Sequence, residues 1–105
     1  MMTRYLNFSG DFTEKIIKGE KRATLRLGVK DYREGEIVII RAGDREIGMA
    51  KITKVRRVRL SELSDEDLRM DGYTDKEYLL RDLKKFYGYI SEDAIFTQIV
   101  FKLLS

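Results

Sequence analysis

Residues 36–58 read EIVIIRAGDREIGMAKITKVRRV. Ile37-Val38-Ile39-Ile40 is a β-branched run, which suits extended backbone because branching at Cβ restricts χ1 in a helix and fits the pleated surface of a sheet. Ala42-Gly43-Asp44-Arg45 then supplies turn chemistry. A second extended segment follows from Ile47 to Val58, with Ala50 and Ile52 on one side and Met49, Lys51 and Thr53 on the other. Its alternation loses phase between Lys54 and Val55, where a β-bulge is expected. The stretch is thus a long antiparallel hairpin.

Toward the N-terminus, Tyr5, Leu6 and Phe8 read as a short strand. Phe12, Ile16 and Ile17 stand at helical spacing, which predicts a helix over 11–18 capped by Ser9 or Asp11 and closed by Gly19. In 22–27, Ala23, Leu25 and Leu27 share one parity and Arg22, Thr24 and Arg26 the other, so a strand there points the first set at the core and the second at an open face. Residues 28–35 are turn-like. Beyond the hairpin, Ser64 is placed to cap a short helix over 65–70 that ends at Gly72. Thr74-Asp75-Lys76-Glu77 has the form of a capping box, which predicts a helix from Asp75 to about Phe86 with Tyr78, Leu79, Leu83 and Phe86 as its apolar face. Gly88 follows as its stop. Ile95, Thr97, Ile99, Phe101 and Leu103 alternate strictly and predict a closing strand. The order β-α-β-β-β-α-α-β gives an α+β class: a small, mostly antiparallel β-barrel of about five strands with about three helices. No linker, repeat or low-complexity stretch divides the chain, so 1–105 is expected to be one domain.

Composition removes whole classes of chemistry. The 105 residues contain neither Cys nor His. Disulfides, thiolate metal sites, a Cys nucleophile and the commonest general base are therefore excluded, and neither a metal nor a cofactor is expected. Any catalysis falls to Lys, Thr, Ser, Tyr, Asp or Glu. Charged residues make up 37% of the chain and the formal net charge is +3. That surplus matters for polyanion binding only if one face gathers it. Abundant Glu, Lys and Arg with no Cys also fit a thermophile. No apolar run reaches transmembrane length and Met1-Met2-Thr3-Arg4-Tyr5 has no signal-peptide core, so the expectation is a cytoplasmic protein without membrane association, most simply a monomer.

Three clusters can carry function. Gly19-x-Lys21-x-x-Thr24-x-Arg26 puts Lys21, Arg22 and Arg26 and the Thr24 hydroxyl around one spot, an anion or nucleotide cradle. An ordinary solvated strand face explains the same residues equally well. The cradle also sets a geometric condition: Lys21 and Thr24, three apart, converge only if Lys21 precedes the strand proper. Asp71-Gly72-Tyr73 can turn an acid toward a cleft, although Asp-Gly is common at helix ends. Lys51, Lys54, Arg56, Arg57 and Arg59 can track an RNA phosphate backbone, or can simply keep an edge strand from aggregating. Tyr32, Tyr73, Tyr87 and Tyr89 are candidates for base stacking.

Gly19-Glu20-Lys21-Arg22-Ala23-Thr24-Leu25-Arg26 resembles the G-x-K-x-x-T-x-R signature of the ASCH domain family. Further features agree in order: Gly35-Glu36 before the β-branched strand, Gly48 to Val55 in the form G-x-A-x-I-x-x-V, Leu60 to Leu63, Asp71-Gly72, the helix to Tyr87 and the closing strand Phe96 to Phe101. The resemblance implies a PUA-like barrel and an RNA or nucleoside ligand, held by Gly19, Lys21, Arg22, Thr24, Arg26 and Tyr73. A bacterial branch of the family hydrolyses acetylated cytidine with a Lys, a Thr and a Glu. Here these map to Lys21, Thr24 and Asp71, with Asp one methylene shorter than the family's Glu. The expected function is therefore RNA or nucleoside binding in a basic cleft. The alternative is an acetylcytidine amidohydrolase using Lys21, Thr24 and Asp71. A third, blander reading is a protein-interaction module, which a large exposed apolar patch would support; the sequence does not reveal one.

Overall fold

The hairpin is the spine of the fold. The computed structural model describes residues 3–104. Its strands are β1 (Arg4–Phe8), β2 (Ala23–Leu27), β3 (Ile37–Ala42), β4 (Arg45–Arg59) and β5 (Ile95–Leu104), and its helices are α1 (Thr13–Ile17), α2 (Asp65–Met70) and α3 (Lys76–Tyr87). Single 3-10 turns at Gly10–Phe12 and Leu60–Glu62 introduce α1 and α2. The sheet order is β1-β3-β4-β5-β2. Only β1 and β3 run parallel; the other neighbours are antiparallel. The sheet curls into a half-barrel whose edges, β1 and β2, come together without a ladder. The Arg26 guanidinium crosses that seam and donates to the Asn7 carbonyl at 2.7 Å.

Two apolar clusters lie on opposite faces of the long β4–β5 ribbon. Inside the curl, Leu6, Val38, Ile40, Ala50, Ile52, Ile99 and Phe101 pack with Ile16 of α1. On the outer face, Val58, Phe96 and Leu25 are covered by Leu68 of α2, Tyr73, and Leu79 and Leu83 of α3. At this end β5 is therefore buried on both faces, from Phe96 to Ile99. For this reason the alternation expected of β5 does not separate core from surface: Phe96 and Gln98, on the opposite parity, are as buried as Thr97 and Ile99.

The bulge in β4 falls earlier than the phase slip suggested. Ile52 faces Phe101 and Lys54 faces Val100, leaving Thr53 as the extra residue. Val55 thereby rejoins the face of Ile52. Helix boundaries shift for local reasons too. The stretch predicted as a helix over 11–18 splits into the 3-10 turn and α1. At α3 the cap is Asp75, whose carboxylate accepts from the Tyr78 N–H at 3.0 Å, so the box read at Thr74 and Glu77 does not form. Tyr78 and Phe86, expected on the buried face of α3, are each 55% exposed, and Leu79 and Leu83 do the burying. Ser64 caps α2 as expected, exchanging bonds with Asp67.

Candidate functional site

The loop 19–22 fixes Lys21 from three sides. Gly19, at φ +77°, ends α1 in the left-handed conformation. The N–H groups of Glu20 and Lys21 both donate to the Lys15 carbonyl, at 2.8 and 3.0 Å. Arg22 donates to the Met70 carbonyl at the end of α2 (2.6 Å) and accepts from the Phe101 N–H of β5 (2.9 Å). Since β2 begins only at Ala23, Lys21 escapes strand alternation. The geometric condition is met: Lys21 and Thr24 line one cleft.

Lys21 is 3% exposed and Asp71, at the C-cap of α2, 4%. The Lys21 ammonium contacts the Asp71 carboxylate and donates to the Asp71 carbonyl at 3.0 Å. Aromatic rings close around it: Phe12 with its centroid at 4.6 Å, Phe8 and Tyr73 at 5.7 Å each. Gly72 makes this approach possible. Its φ is +87°, and a Cβ there would stand 3.3 Å from the Lys21 Cβ. Lys15 reaches over to donate to the Gly72 carbonyl at 2.9 Å.

The cleft has a volume of about 280 Å³, toward the lower end for small-molecule sites. It opens at the seam between β1 and β2. Arg26 forms one wall, its Nε donating to the Thr24 hydroxyl at 3.2 Å and its guanidinium 5.0 Å from the Phe8 ring centroid. Opposite, the Tyr73 hydroxyl donates to Asp82 of α3 at 2.5 Å, and Phe86 and Tyr87 stand at the mouth. Burial pushes the Lys21 amine down, against the pull of Asp71, and neighbouring Arg26 and Lys15 add to the lowering. Burial pushes the Asp71 carboxyl up, against Lys21 and Arg26. Both directions favour the neutral members of the pair, so the ion pair and its proton-transferred form are drawn together in energy. Burial and then the bond to Asp82 push the Tyr73 phenol up.

The expected residues divide. Lys21, Thr24, Arg26, Asp71 and Tyr73 line the cleft, with Tyr87. Gly19 and Arg22 do not; they lie on a separate groove on the other side of the loop. The cleft is also not the basic one expected, because Asp71 and Asp82 stand against Lys21 and Arg26 among mainly apolar side chains. Tyr32 stacks under Arg4 instead, 4.2 Å from its guanidinium, and Tyr89 lies on the surface away from the cleft. Phe8, Phe12 and Asp82 were not singled out from the sequence. Each comes from a different element and reaches the site only through the fold.

The basic strand does not form one track. Pleat and bulge put Lys51, Lys54 and Arg56 on one face of β4 and Arg57 and Arg59 on the other. Arg56 is engaged, donating to Gln98 at 2.6 Å and to Asp67 at 2.7 Å. Gln98 in turn donates to Asp67 at 3.0 Å. Although burial raises the Asp67 carboxyl, donors from Gln98, Ser64 and Arg56 outweigh it and hold the group well below the usual carboxylate range. Among the described residues no three of His, Cys, Asp or Glu gather as a metal site, and no helix is long and apolar enough to cross a membrane.

Solved structures share this architecture at low identity. A protein from Enterococcus faecalis matches with a TM-score of 0.76 at 16% identity, over 99% of this chain and 82% of its own. An ASCH domain from Lactobacillus crispatus matches with a TM-score of 0.70 at 18% identity, over 95% of this chain and 79% of its own. An ASCH protein from Zymomonas mobilis gives 0.69 at 16%, over 93% and 65%. No curated protein matches the sequence. The model of the ASCH domain matches residues 4–105, and the chain belongs to the ASCH domain family, with its PUA-like fold.

Proposed function

We propose that the cleft between β1, β2 and α3 takes a single nucleobase, presented by RNA or by a free nucleoside. The observation that carries this reading is the pairing of aromatic walls (Phe8, Phe12, Tyr73, Tyr87) with a compact polar end that mixes donors, Lys21 and Arg26, with an acceptor, Asp71. A base needs a face to stack on and an edge that is met by both donors and acceptors. A phosphate alone would need neither the aromatic walls nor the acids. Membership of a generally RNA-binding, PUA-like family supports the same ligand class. The test is titration of the protein with cytidine, acetylcytidine and a short single-stranded RNA at two salt concentrations, followed by tyrosine fluorescence. Saturable binding that Lys21→Ala weakens by at least about tenfold is expected. Wild-type-like affinity in Lys21→Ala overturns the reading.

The Lys21–Asp71 pair favours a second reading, hydrolysis of the acetyl amide on cytidine. A buried amine drawn toward its neutral form is better fitted to take a proton from water, and a raised carboxyl can return one. Water adds to the acetyl carbonyl as Lys21 takes its proton. Arg26, with Thr24 on its Nε, faces the developing oxyanion. The cytidine amine leaves with a proton from Asp71, giving cytidine and acetate. Chromatography of acetylcytidine incubated with wild type and Lys21→Ala decides: product from wild type alone makes the site catalytic, and none from either leaves binding.

A further inference from the structure

On the outer face of the sheet α2 and α3 lie over Val58 and Phe96, whereas at the other end of the β4–β5 ribbon Met49, Lys51, Lys102 and Leu104 stay exposed among the described residues. There the register lines up Tyr5 of β1, Ile39 of β3, Met49 of β4 and Leu104 of β5 as successive partners in one row across four strands. Tyr5, Met49 and Leu104 are 37%, 47% and 42% exposed. Sequence order hides this row, because its members come from four separate segments. Exposed apolar side chains gathered in one row support a protein-interaction reading.

A second feature borders it. Lys51 and Lys102 face each other directly across β4 and β5, one step along from Met49 and Leu104, and Lys54 follows on the same face. Like charges directly opposite one another destabilise a sheet. None of the three has a carboxylate of the described residues within 4.0 Å. An acidic occupant would relieve that repulsion. A second copy of the chain seated face to face would add another set of lysines to it. RNA is a poor match as well, since Ile39, Met49 and Leu104 are aliphatic and a face of the one aromatic ring in the row, Tyr5, is taken by the Arg41 guanidinium at 4.0 Å.

We infer that this bare half of the outer face docks a protein segment of mixed apolar and acidic character, its apolar stripe on the row Tyr5–Ile39–Met49–Leu104 and its carboxylates on Lys51, Lys54 and Lys102. The inference does not depend on what the cleft holds. It also supplies a role for cations that the cleft does not use.

The experiment is an amide-resolved NMR titration of the full chain with a synthetic helical peptide bearing leucines on one face and glutamates on the other. A counterpart carrying lysines for the glutamates is run alongside. Saturable shifts confined to the row and its flanking lysines, with the lysine peptide binding at least about tenfold more weakly, are expected. Met49→Glu and the pair Lys51→Glu, Lys102→Glu should each abolish them. All three positions are exposed, and an unchanged thermal transition confirms that the variants fold. Absence of binding, equal binding of both peptides, or shifts in the cleft overturns the inference. So does a dimer in sedimentation equilibrium that Met49→Glu dissociates, or the same residues responding to RNA or to anionic vesicles instead.

Discussion

Two aspartates sit one turn apart in and just after the same short helix, and their surroundings drive them in opposite directions. Asp67, in the first turn of α2, accepts from Ser64, Arg56 and Gln98 and is held well below the ordinary carboxylate range. Asp71, at the C-cap, has one lysine for a partner within an aromatic shell and is pushed up. Helix polarity adds to the contrast, since the N-terminal end favours an anion and the C-terminal end disfavours one. Residue type and solvent exposure are nearly the same, but Asp71 lies much deeper among protein atoms and has fewer fixed donors, and the two differences together separate a carboxylate that fastens the helix from one drawn toward its neutral form. The first also serves the second: Asp67 anchors α2 to β4 and β5, and α2 delivers Asp71 to Lys21.

Breaking the fastening should have the largest effect. Asp67→Ala leaves Gln98 buried without its acceptor and Arg56, partly open to solvent, without its anion. The expected loss is about 2–3 kcal/mol, a fall in Tm of roughly 10 °C or more in a domain of this size. Thermal unfolding measures it. The pH dependence carries the sign. A carboxyl lowered in the folded state contributes stability above its ordinary value near 3.9, and that stability is lost as pH falls through the folded value. Wild type should therefore lose stability below about pH 4, and Asp67→Asn should lose less over the same interval.

How much of this the sequence discloses depends on how local the signal is. The hairpin, the Ser64 cap and the closing strand rest on contiguous residues and form where expected, although the bulge falls at Thr53 and the closing strand is buried on both parities. The motif from Gly19 to Arg26 discloses Lys21, Thr24 and Arg26 because the strand's start is marked within the same octapeptide. Gly19 and Arg22 belong to that motif yet miss the cleft, since Gly19 ends α1 two residues before Lys21 and Arg22, next to Lys21, lies on the separate groove. Phe8, Phe12 and Asp82 reach the cleft from β1, the turn before α1, and α3, and nothing in their own neighbourhoods marks them. The five cations between Lys51 and Arg59 look like one stripe until a single bulged residue, Thr53, and the pleat divide them between two faces.

At the other aspartate, single and double changes should disagree. Asp71→Ala strands a buried lysine, while replacing both partners with apolar residues of similar size removes two desolvated charges together. Lys21→Met with Asp71→Leu is expected to lie within about 1 kcal/mol of wild type in stability while losing ligand binding or turnover altogether. The pH profile should change in the sense opposite to Asp67. A raised carboxyl detracts from stability as pH climbs through its folded value, and a lowered amine gives stability back only as pH approaches the ordinary lysine range. The double variant should lose both slopes. Denaturant unfolding across pH checks this, and a double variant as unstable as Asp67→Ala would erase the distinction between the two sites.

Gly72→Ala tests the same pair through the backbone. The left-handed φ costs roughly 1 kcal/mol for a residue with a Cβ, and the new methyl would press on the Lys21 Cβ. A modest fall in Tm with a larger loss of ligand affinity is expected, because Lys21 must move to make room.

The smallest effect should come from the third acid of α2. Glu66 pairs with Arg69 at 2.8 Å, within 0.1 Å of the 2.7 Å between Arg56 and Asp67, but both side chains are exposed, at 59% and 66%. Water solvates each charge whether or not the pair forms, and ordering two long side chains offsets much of the attraction. Glu66→Gln should shift stability by about 0.3 kcal/mol or less, and salt should remove even that. Measured beside Asp67→Asn, it separates the distance of an ion pair from its surroundings. Equal losses from the two variants would mean that position in α2, and not the buried donors around Asp67, sets the strength of the fastening.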